Sequence, residues 1–473
     1  MHLRKKYLII FLSIGFTLAL FPVSSSADSN NTDTAERNNV QENYTYLLKN
    51  PEQTIEVLKI IKKHSPSLTA TAIEEIGLVS VENPKHIDVS KVQHKIASYV
   101  DSQGELPNLI PPYEGTVSSN KILKAAQRST LNDFQNSNKV HAKNTYPPLS
   151  SENFTSFNWY LKDVTSNYRS LSIDKGEHST IALIDSGIDI KHPLIKENID
   201  LTLAKNYSAG HMDVTDELGH GTSIAGILSN IAPQTKIIPY KVVGSTEGKS
   251  LWVINAIIDA ANDGNDVINL SVGTYLIKSE KEDKLLIKAY KKAVKYAKRK
   301  GSVVIASAGN DGFDLDELKE FKFKHLPGGL QDAITVSSNT KDNTLAYYSN
   351  FGKEVDFSAP GGSLLDHDGA ERANEMIITT FPIHQMNTPL DQSLGIPQGY
   401  TLTEGTSYAV PQVSAAAALM ISEHTERTGK NPSVNKVIKY LEKGSFDIGK
   451  PGRDNYFGAG KVNAYRSLIR INK

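Results

Sequence analysis

Thr180-Ile181-Ala182-Leu183-Ile184-Asp185-Ser186-Gly187 is the stretch from which the architecture follows. A short, unbroken apolar run bounded by turn formers reads as a buried strand, the kind found in parallel sheets covered by helices. The run delivers Asp185 to its carboxyl end, where Gly187 lets the chain turn. Ligand sites of open α/β sheets lie at that end of their strands. Taken alone, an aspartate there reads first as a turn residue, so its meaning depends on the flanking chain.

Working outward, the pattern predicts further strands at 236–242, 267–272, 303–307 and 334–337. Helical patterns at 221–230, 252–262, 285–300 and 408–424 separate them. This alternation, from about 156 to the end, predicts an α/β domain with a mainly parallel sheet. Two more motifs fall at its element boundaries. In Gly219-His220-Gly221-Thr222-Ser223-Ile224-Ala225-Gly226 a histidine enters a helix between glycines that permit close approach of another segment. In Gly405-Thr406-Ser407-Tyr408-Ala409-Val410-Pro411 a serine stands at the mouth of a helix. That helix continues through Ser414, Ala415, Ala416, Ala417 and Ala418, residues small enough for deep burial.

A serine at a helix start is ordinarily an N-cap, and a single histidine is ordinarily structural. The combination changes the reading. A serine hydroxyl is a weak nucleophile and needs a neighbouring base. Histidine serves because its unperturbed pKa, about 6.5, lies near neutrality. A buried carboxylate then fixes the imidazole tautomer and stabilises the imidazolium. Asp185, His220 and Ser407 are therefore candidates for nucleophilic catalysis.

In this order and with these flanks, the motifs resemble those of the subtilisin-like serine proteases over about 156–468. The resemblance implies an α/β, subtilisin-like three-layer domain with a mainly parallel sheet, preceded by a small α+β propeptide. It implies Asp185 as the carboxylate, His220 as general base and then acid, and Ser407 as nucleophile. It marks Asn310, in Ala306-Ser307-Ala308-Gly309-Asn310, as the oxyanion donor beside the backbone N–H of Ser407. It places the walls of the primary specificity pocket at Ser271-Val272-Gly273 and Ala308-Gly309-Asn310. The chain departs from the frequent pattern GTSMAxPHVxG at Tyr408, Val410, Gln412 and Ala415, positions that bear on packing and pocket shape. Residues 456–464 resemble the family's closing segment, which implies a complete, competent domain.

The amino terminus reads as an address. Arg4, Lys5 and Lys6 precede an apolar run at 7–21 and the small-residue exit Ser24-Ser25-Ser26-Ala27. This predicts a signal peptide at 1–27, its run falling short of the ~20 residues a spanning helix needs. A secreted, extracellular protein without a stable membrane anchor is expected. Residues 28–43 read as a polar tether, followed by a small unit with a helix at 54–62, a strand at 76–82 and a helix at 89–100. Residues 106–151, with Pro107, Pro111, Pro112, Pro147 and Pro148, read as a linker. By resemblance to secreted subtilisins, 28–128 is a propeptide that assists folding and inhibits intramolecularly, and 129–473 is the peptidase domain.

Bulk properties exclude other classes. Across 473 residues, 52 basic and 52 acidic side chains cancel, so no nucleic-acid partner is expected. The basic stretch at 284–300 lies over an apolar stripe of Leu285, Leu286, Ala289, Ala293 and Ala297 and reads as a solvated helix face. The absence of cysteine rules out disulfides and thiolate metal sites. The histidines lack HExxH spacing, which speaks against catalytic zinc. No cofactor is expected for catalysis. Structural calcium, common in the resembling family, has no contiguous acidic loop to mark it.

Asp311, Asp314, Asp316 and Glu317 follow Asn310. An acid at the pocket would favour arginine or lysine before the scissile bond through a charge-assisted hydrogen bond; a solvated acidic loop is an equal reading. In whole-chain character the sequence resembles the secreted lantibiotic leader peptidases of Gram-positive bacteria, which remove a leader from a modified peptide antibiotic after a basic residue. That resemblance makes Arg128-Ser129 the expected self-processing junction. The alternatives are a broad degradative extracellular subtilisin and an inactive binding protein with the same fold.

Overall fold

The computed structural model describes residues 42–83, 86–104, 108–109, 146–208, 213–245, 247–365 and 369–471. The expected signal peptide, nearly all of the tether and the Arg128–Ser129 junction lie outside them.

The first described elements are β1 (Glu42–Leu48), α1 (Thr54–His64), β2 (Thr69–Ile73), β3 (Leu78–Asn83), α2 (His86–Ile96) and β4 (Val100–Gly104). The strands form an antiparallel sheet of order β2-β3-β1-β4. Successive strand residues point to opposite faces, and each face here has a different neighbour. Tyr46, Leu48, Val79 and Val81 pack with Val57, Ile61, Val92 and Ile96 of the two helices. Leu47 and Leu78 face the other way, into the core of the large domain. The sequence predicts only the central β3, two residues too early, because a 3-10 turn at Glu74–Ile76 precedes it. It misses β2 and β4, the sheet's edges, which are largely exposed or half-buried and carry no continuous apolar run, and it assigns the start of β1 to the tether. The helix expected at 89–100 ends at Ile96, and Val100 instead opens β4.

After β5 (Asn108–Leu109), still within the expected propeptide, the large domain has β6 (Thr180–Asp185), β7 (Lys205–Asn206), α3 (His220–Ile231), β8 (Lys236–Lys241), β9 (Gly248–Lys249) and α4 (Ser250–Asn262). Then come β10 (Val267–Leu270), β11 (Thr274–Ile277), α5 (Lys281–Lys300), β12 (Val303–Ser307), β13 (Phe323–Leu326), β14 (Ile334–Asn339) and β15 (Phe357–Pro360). A hairpin of β16 (Ile377–Thr380) and β17 (Tyr400–Thr403) leads into α6 (Thr406–Thr428).

Seven of these strands form a parallel sheet of order β15-β14-β12-β10-β6-β8-β7. Alternation sorts its side chains. Ile181, Leu183, Val267 and Ile305 pack against α3 and the alanine-rich α6. Ala182, Ile184, Ile268 and Val304 pack against α4 and α5. The expected three-layer, mainly parallel architecture is thus present, with β6 near the middle and Asp185 at its carboxyl end.

The basic face of α5 is not simply solvated, as the sequence predicts. Lys288 Nζ reaches Asp101 Oδ2 and Ser102 Oγ, each at 2.9 Å, and Lys292 Nζ donates to the carbonyls of Leu48 (2.9 Å) and Ile76 (3.2 Å). The small sheet therefore lies on α5, held by Lys292 through two backbone carbonyls and by Lys288 through two side chains of β4. No helix among the described residues is long and apolar enough to cross a membrane.

The approach of α3 to the turn after β6 is so close that a Cβ at Gly221 would stand 2.0 Å from the Gly187 carbonyl oxygen. Gly221→Ala is expected to cost about 2–3 kcal/mol of stability and to lower peptide hydrolysis with it. A thermal melt and a peptidase assay check this; an unchanged melting temperature would refute the close approach.

Candidate active site

Asp185 is fully buried where β6 ends. Its Oδ1 accepts the Ser186 N–H (2.8 Å) and His220 Nδ1 (2.7 Å). With Nδ1 occupied as donor, Nε2 of the neutral ring is left as the basic nitrogen. The ring also packs against Tyr408, centroids 5.5 Å apart.

A second buried carboxylate fixes this geometry. Asp216 Oδ1 accepts the Ser186 hydroxyl and the Gly219 N–H, both at 2.8 Å. Its Oδ2 accepts the N–H (2.8 Å) and hydroxyl (2.7 Å) of Thr222. One charge thus ties the residue after Asp185 to the first turn of α3. Burial of that charge is tolerable because donors surround it and the helix N-terminus favours an anion.

Ser407 lies in the first turn of α6, entered through Gly405 at φ +145°, a conformation side chains disfavour. Its Oγ donates to the Ser271 carbonyl at 3.1 Å, and the Ser271 hydroxyl donates back to the Ser407 carbonyl at 2.9 Å. Asn310 Oδ1 takes both the N–H (2.8 Å) and the hydroxyl (2.6 Å) of Thr406. That orientation commits the amide oxygen and leaves Nδ2 as a donor beside the start of α6. The strand ends and helix starts named in the sequence are therefore gathered at one edge of the sheet.

The expected pocket walls also meet. A Cβ on Gly273 would lie 2.7 Å from His325 Nε2, and one on Gly309 would lie 2.8 Å from the Tyr275 hydroxyl and 3.2 Å from the same imidazole. Burial, reinforced by Lys324, pushes His325 down to about 4, so this ring is neutral near pH 7. Asn350 pins the loop: its Oδ1 accepts the N–H groups of Asp311 (3.2 Å) and Phe313 (2.9 Å). Its Nδ2 donates to the Tyr275 hydroxyl (2.6 Å) and the Ala308 carbonyl (2.8 Å).

The acidic run after Asn310 divides. Asp314 caps the short helix Leu315–Glu320 through the Asp316 N–H, and Asp316 bonds Lys319 at 3.0 Å. Glu317 is exposed. Asp311 alone of the four contacts the pocket side, accepting the Tyr275 hydroxyl on Oδ2 at 2.5 Å. Burial and this carboxylate raise the Tyr275 pKa well above its ordinary value.

The sequence names Asp185, His220, Asn310 and Ser407 but not Asp216, Tyr275, His325 or Asn350. An acid shortly before a helix start was a visible signal for Asp216. The other three carry no local pattern. For calcium, Asp174, Glu423 and Glu426 are the one group of three carboxylates brought together among the described residues. Asp174 already accepts the Gly176 N–H and the Ser422 hydroxyl, while Glu423 pairs with Arg427 at 2.9 Å. Such occupied oxygens do not fit the six to eight ligands of a calcium cage.

Comparison with known proteins places this geometry. The pattern of the subtilase family matches residues 176–460. The chain is 31% identical over 350 residues to EpiP, the epidermin leader peptide-processing serine protease of Staphylococcus epidermidis, covering 66% of this chain and 73% of that protein. Among solved structures, a lanthipeptide protease is 41% identical, with TM-score 0.66, covering 69% of this chain and 98% of that one. EpiP from Staphylococcus aureus is 27% identical, with TM-score 0.69, over 92% of this chain and 99% of that one. With more than half of its length matched and the sheet shared with these enzymes, the chain belongs to the subtilase family of serine proteases.

Proposed function

We propose that the protein is the precursor of a secreted endopeptidase that removes the leader of a lantibiotic precursor by cutting after a basic residue. The observation that carries the chemistry is the 2.7 Å bond from His220 to the buried Asp185, at the edge of the sheet that also holds Ser407 and Asn310. His220 Nε2 takes the proton of Ser407 Oγ as that oxygen attacks the scissile carbonyl. Asp185 stabilises the imidazolium so formed. The oxyanion accepts hydrogen bonds from Asn310 Nδ2 and the Ser407 N–H. Collapse breaks the C–N bond, and His220 returns the proton to the leaving amine. Water then repeats the cycle on the acyl-enzyme.

For specificity, Asp311 stands beside the pocket wall with Oδ2 held by Tyr275, leaving Oδ1 for a guanidinium or ammonium group. The functions of the relatives, epidermin leader processing and lanthipeptide proteolysis, support a modified peptide precursor as substrate. A broad degradative protease is the second reading, and no particular contact favours it.

For latency, the small sheet on α5 acts as the intramolecular inhibitor. Asn108–Leu109 pairs antiparallel with Gly248–Lys249, adding an extended strand of the precursor segment to the enzyme's own backbone. Cleavage at Arg128–Ser129 leaves the enzyme its anchor: Leu149 is buried, and Tyr400 donates to the Pro147 carbonyl at 2.5 Å.

N-terminal sequencing of wild type and Ser407→Ala is expected to find Ser129 first in the former and a retained precursor segment in the latter. Identical maturation of both would refute self-processing. Asn310→Leu is expected to lower kcat about 10²–10³-fold. Asp311→Asn is expected to lower kcat/KM about tenfold for a leader junction ending in arginine, with little change for one ending in leucine. Equal losses on both junctions, or rapid casein degradation by wild type, would favour the degradative reading.

A further inference from the structure

We propose that Asn269 and Ser271 are positioning residues for Ser407, supplying from the neighbouring strand the hydrogen bond that Pro411 removes from α6. The proposal rests on Ser407 as nucleophile and is independent of which peptide is cut. Pro411 lies within α6, four residues after Ser407. A proline has no N–H, so the carbonyl four residues earlier loses its helical donor. Here that carbonyl belongs to Ser407 itself, and a buried carbonyl without a donor is costly.

The Ser271 hydroxyl takes the missing donor's place at 2.9 Å. It is itself held in that orientation: Asn269 Nδ2 donates to Ser271 Oγ at 3.2 Å, and Asn269 Oδ1 accepts the Ser414 hydroxyl at 2.9 Å. Asn269, Ser271 and Ser414 are all buried. The chain of bonds leaves α6 at Ser414 and returns at Ser407, two helical turns apart and on the same face. It therefore bridges the proline and fastens the nucleophile's backbone to the end of β10. Without it, the first turn of α6 would be held by the Ser407 side chain, the Thr406 bonds to Asn310 and the entry at Gly405, none of which engages the Ser407 carbonyl. A small rotation there moves Oγ relative to His220 and separates the attacking oxygen from its base, while the backbone carbonyl of Ser271 and the pocket walls stay in place. The loss accordingly falls on turnover and not on substrate binding.

A double-mutant cycle tests the replacement directly. Ser271→Ala is expected to lower kcat about tenfold with KM unchanged, and Ser271→Thr, which keeps the hydroxyl, to restore it. Pro411→Ala returns an N–H to the helix, so Ser271→Ala in that background is expected to lose less than about twofold. Equal losses in both backgrounds, or a loss carried by KM, would overturn the proposal. Should Pro411→Ala fail to fold, Ser414→Ala reads the same bridge from its far end. It is expected to lower kcat about threefold at unchanged KM, and wild-type kcat would count against the bridge. Labelling with a fluorophosphonate separates the two readings. A wild type labelled at Ser407, with Ser271→Ala reacting equally fast, overturns the positioning role alone; a wild type not labelled at Ser407 overturns both.

Discussion

A wholly buried carboxylate at the end of β6 is the constraint on which the catalytic edge depends. Asp185 has left water, and its Oδ1 is answered by one backbone N–H and one imidazole. An ionised group in that position is tolerable only if its donors are fixed. The fixing is done by bringing α3 almost into contact with the turn after β6, which is why Gly221 has no room for a side chain. Asp216 then locks strand end and helix start together through Ser186, Gly219 and Thr222. The imidazole is thereby oriented before any substrate arrives, the preorganisation that the role proposed for it as general base requires.

The serine side of the site meets a different difficulty. Helix α6 runs through the core between layers, so its small alanines allow burial on nearly every side. Its proline breaks the ladder close to the catalytic end, and a buried helix has no water to repair the break. Repair comes from Ser271, just past the end of β10, oriented by Asn269 within it. Buried polar groups of this kind are acceptable when every member is paired, and the chain from Ser414 to Ser407 meets that condition at each step.

The small amino-terminal sheet shows one strand surface serving two partners. Tyr46 and Val79 look toward their own helices, while Leu47 and Leu78 look toward α4 and α5. Its folding and its docking are therefore both written in the same strands. Lys292 on α5 completes the contact by donating to the carbonyls of Leu48 and Ile76, and Lys288 by reaching the side chains of Asp101 and Ser102. That the basic face of α5 would meet such a partner was not visible in its own residues, since lysines over an apolar stripe describe any exposed amphipathic helix.

What the sequence by itself determined was local and periodic. The apolar run into Asp185, the glycines around His220 and the small residues behind Ser407 each fixed an element and its end, because burial on both faces leaves an unmistakable composition. Edge strands β2 and β4 escaped notice because an edge strand is buried on few of its residues and needs no continuous apolar run. Only the tertiary structure decided that Asp216 braces His220, that His325 closes on Gly273 and Gly309, that Asp311 and not its acidic neighbours meets Tyr275, and that Ser271 substitutes for the proline's lost donor. Those pairings join segments far apart in the chain. They arise from the strand order of the sheet, and a hydrogen bond made by topology leaves no periodicity for the sequence to show.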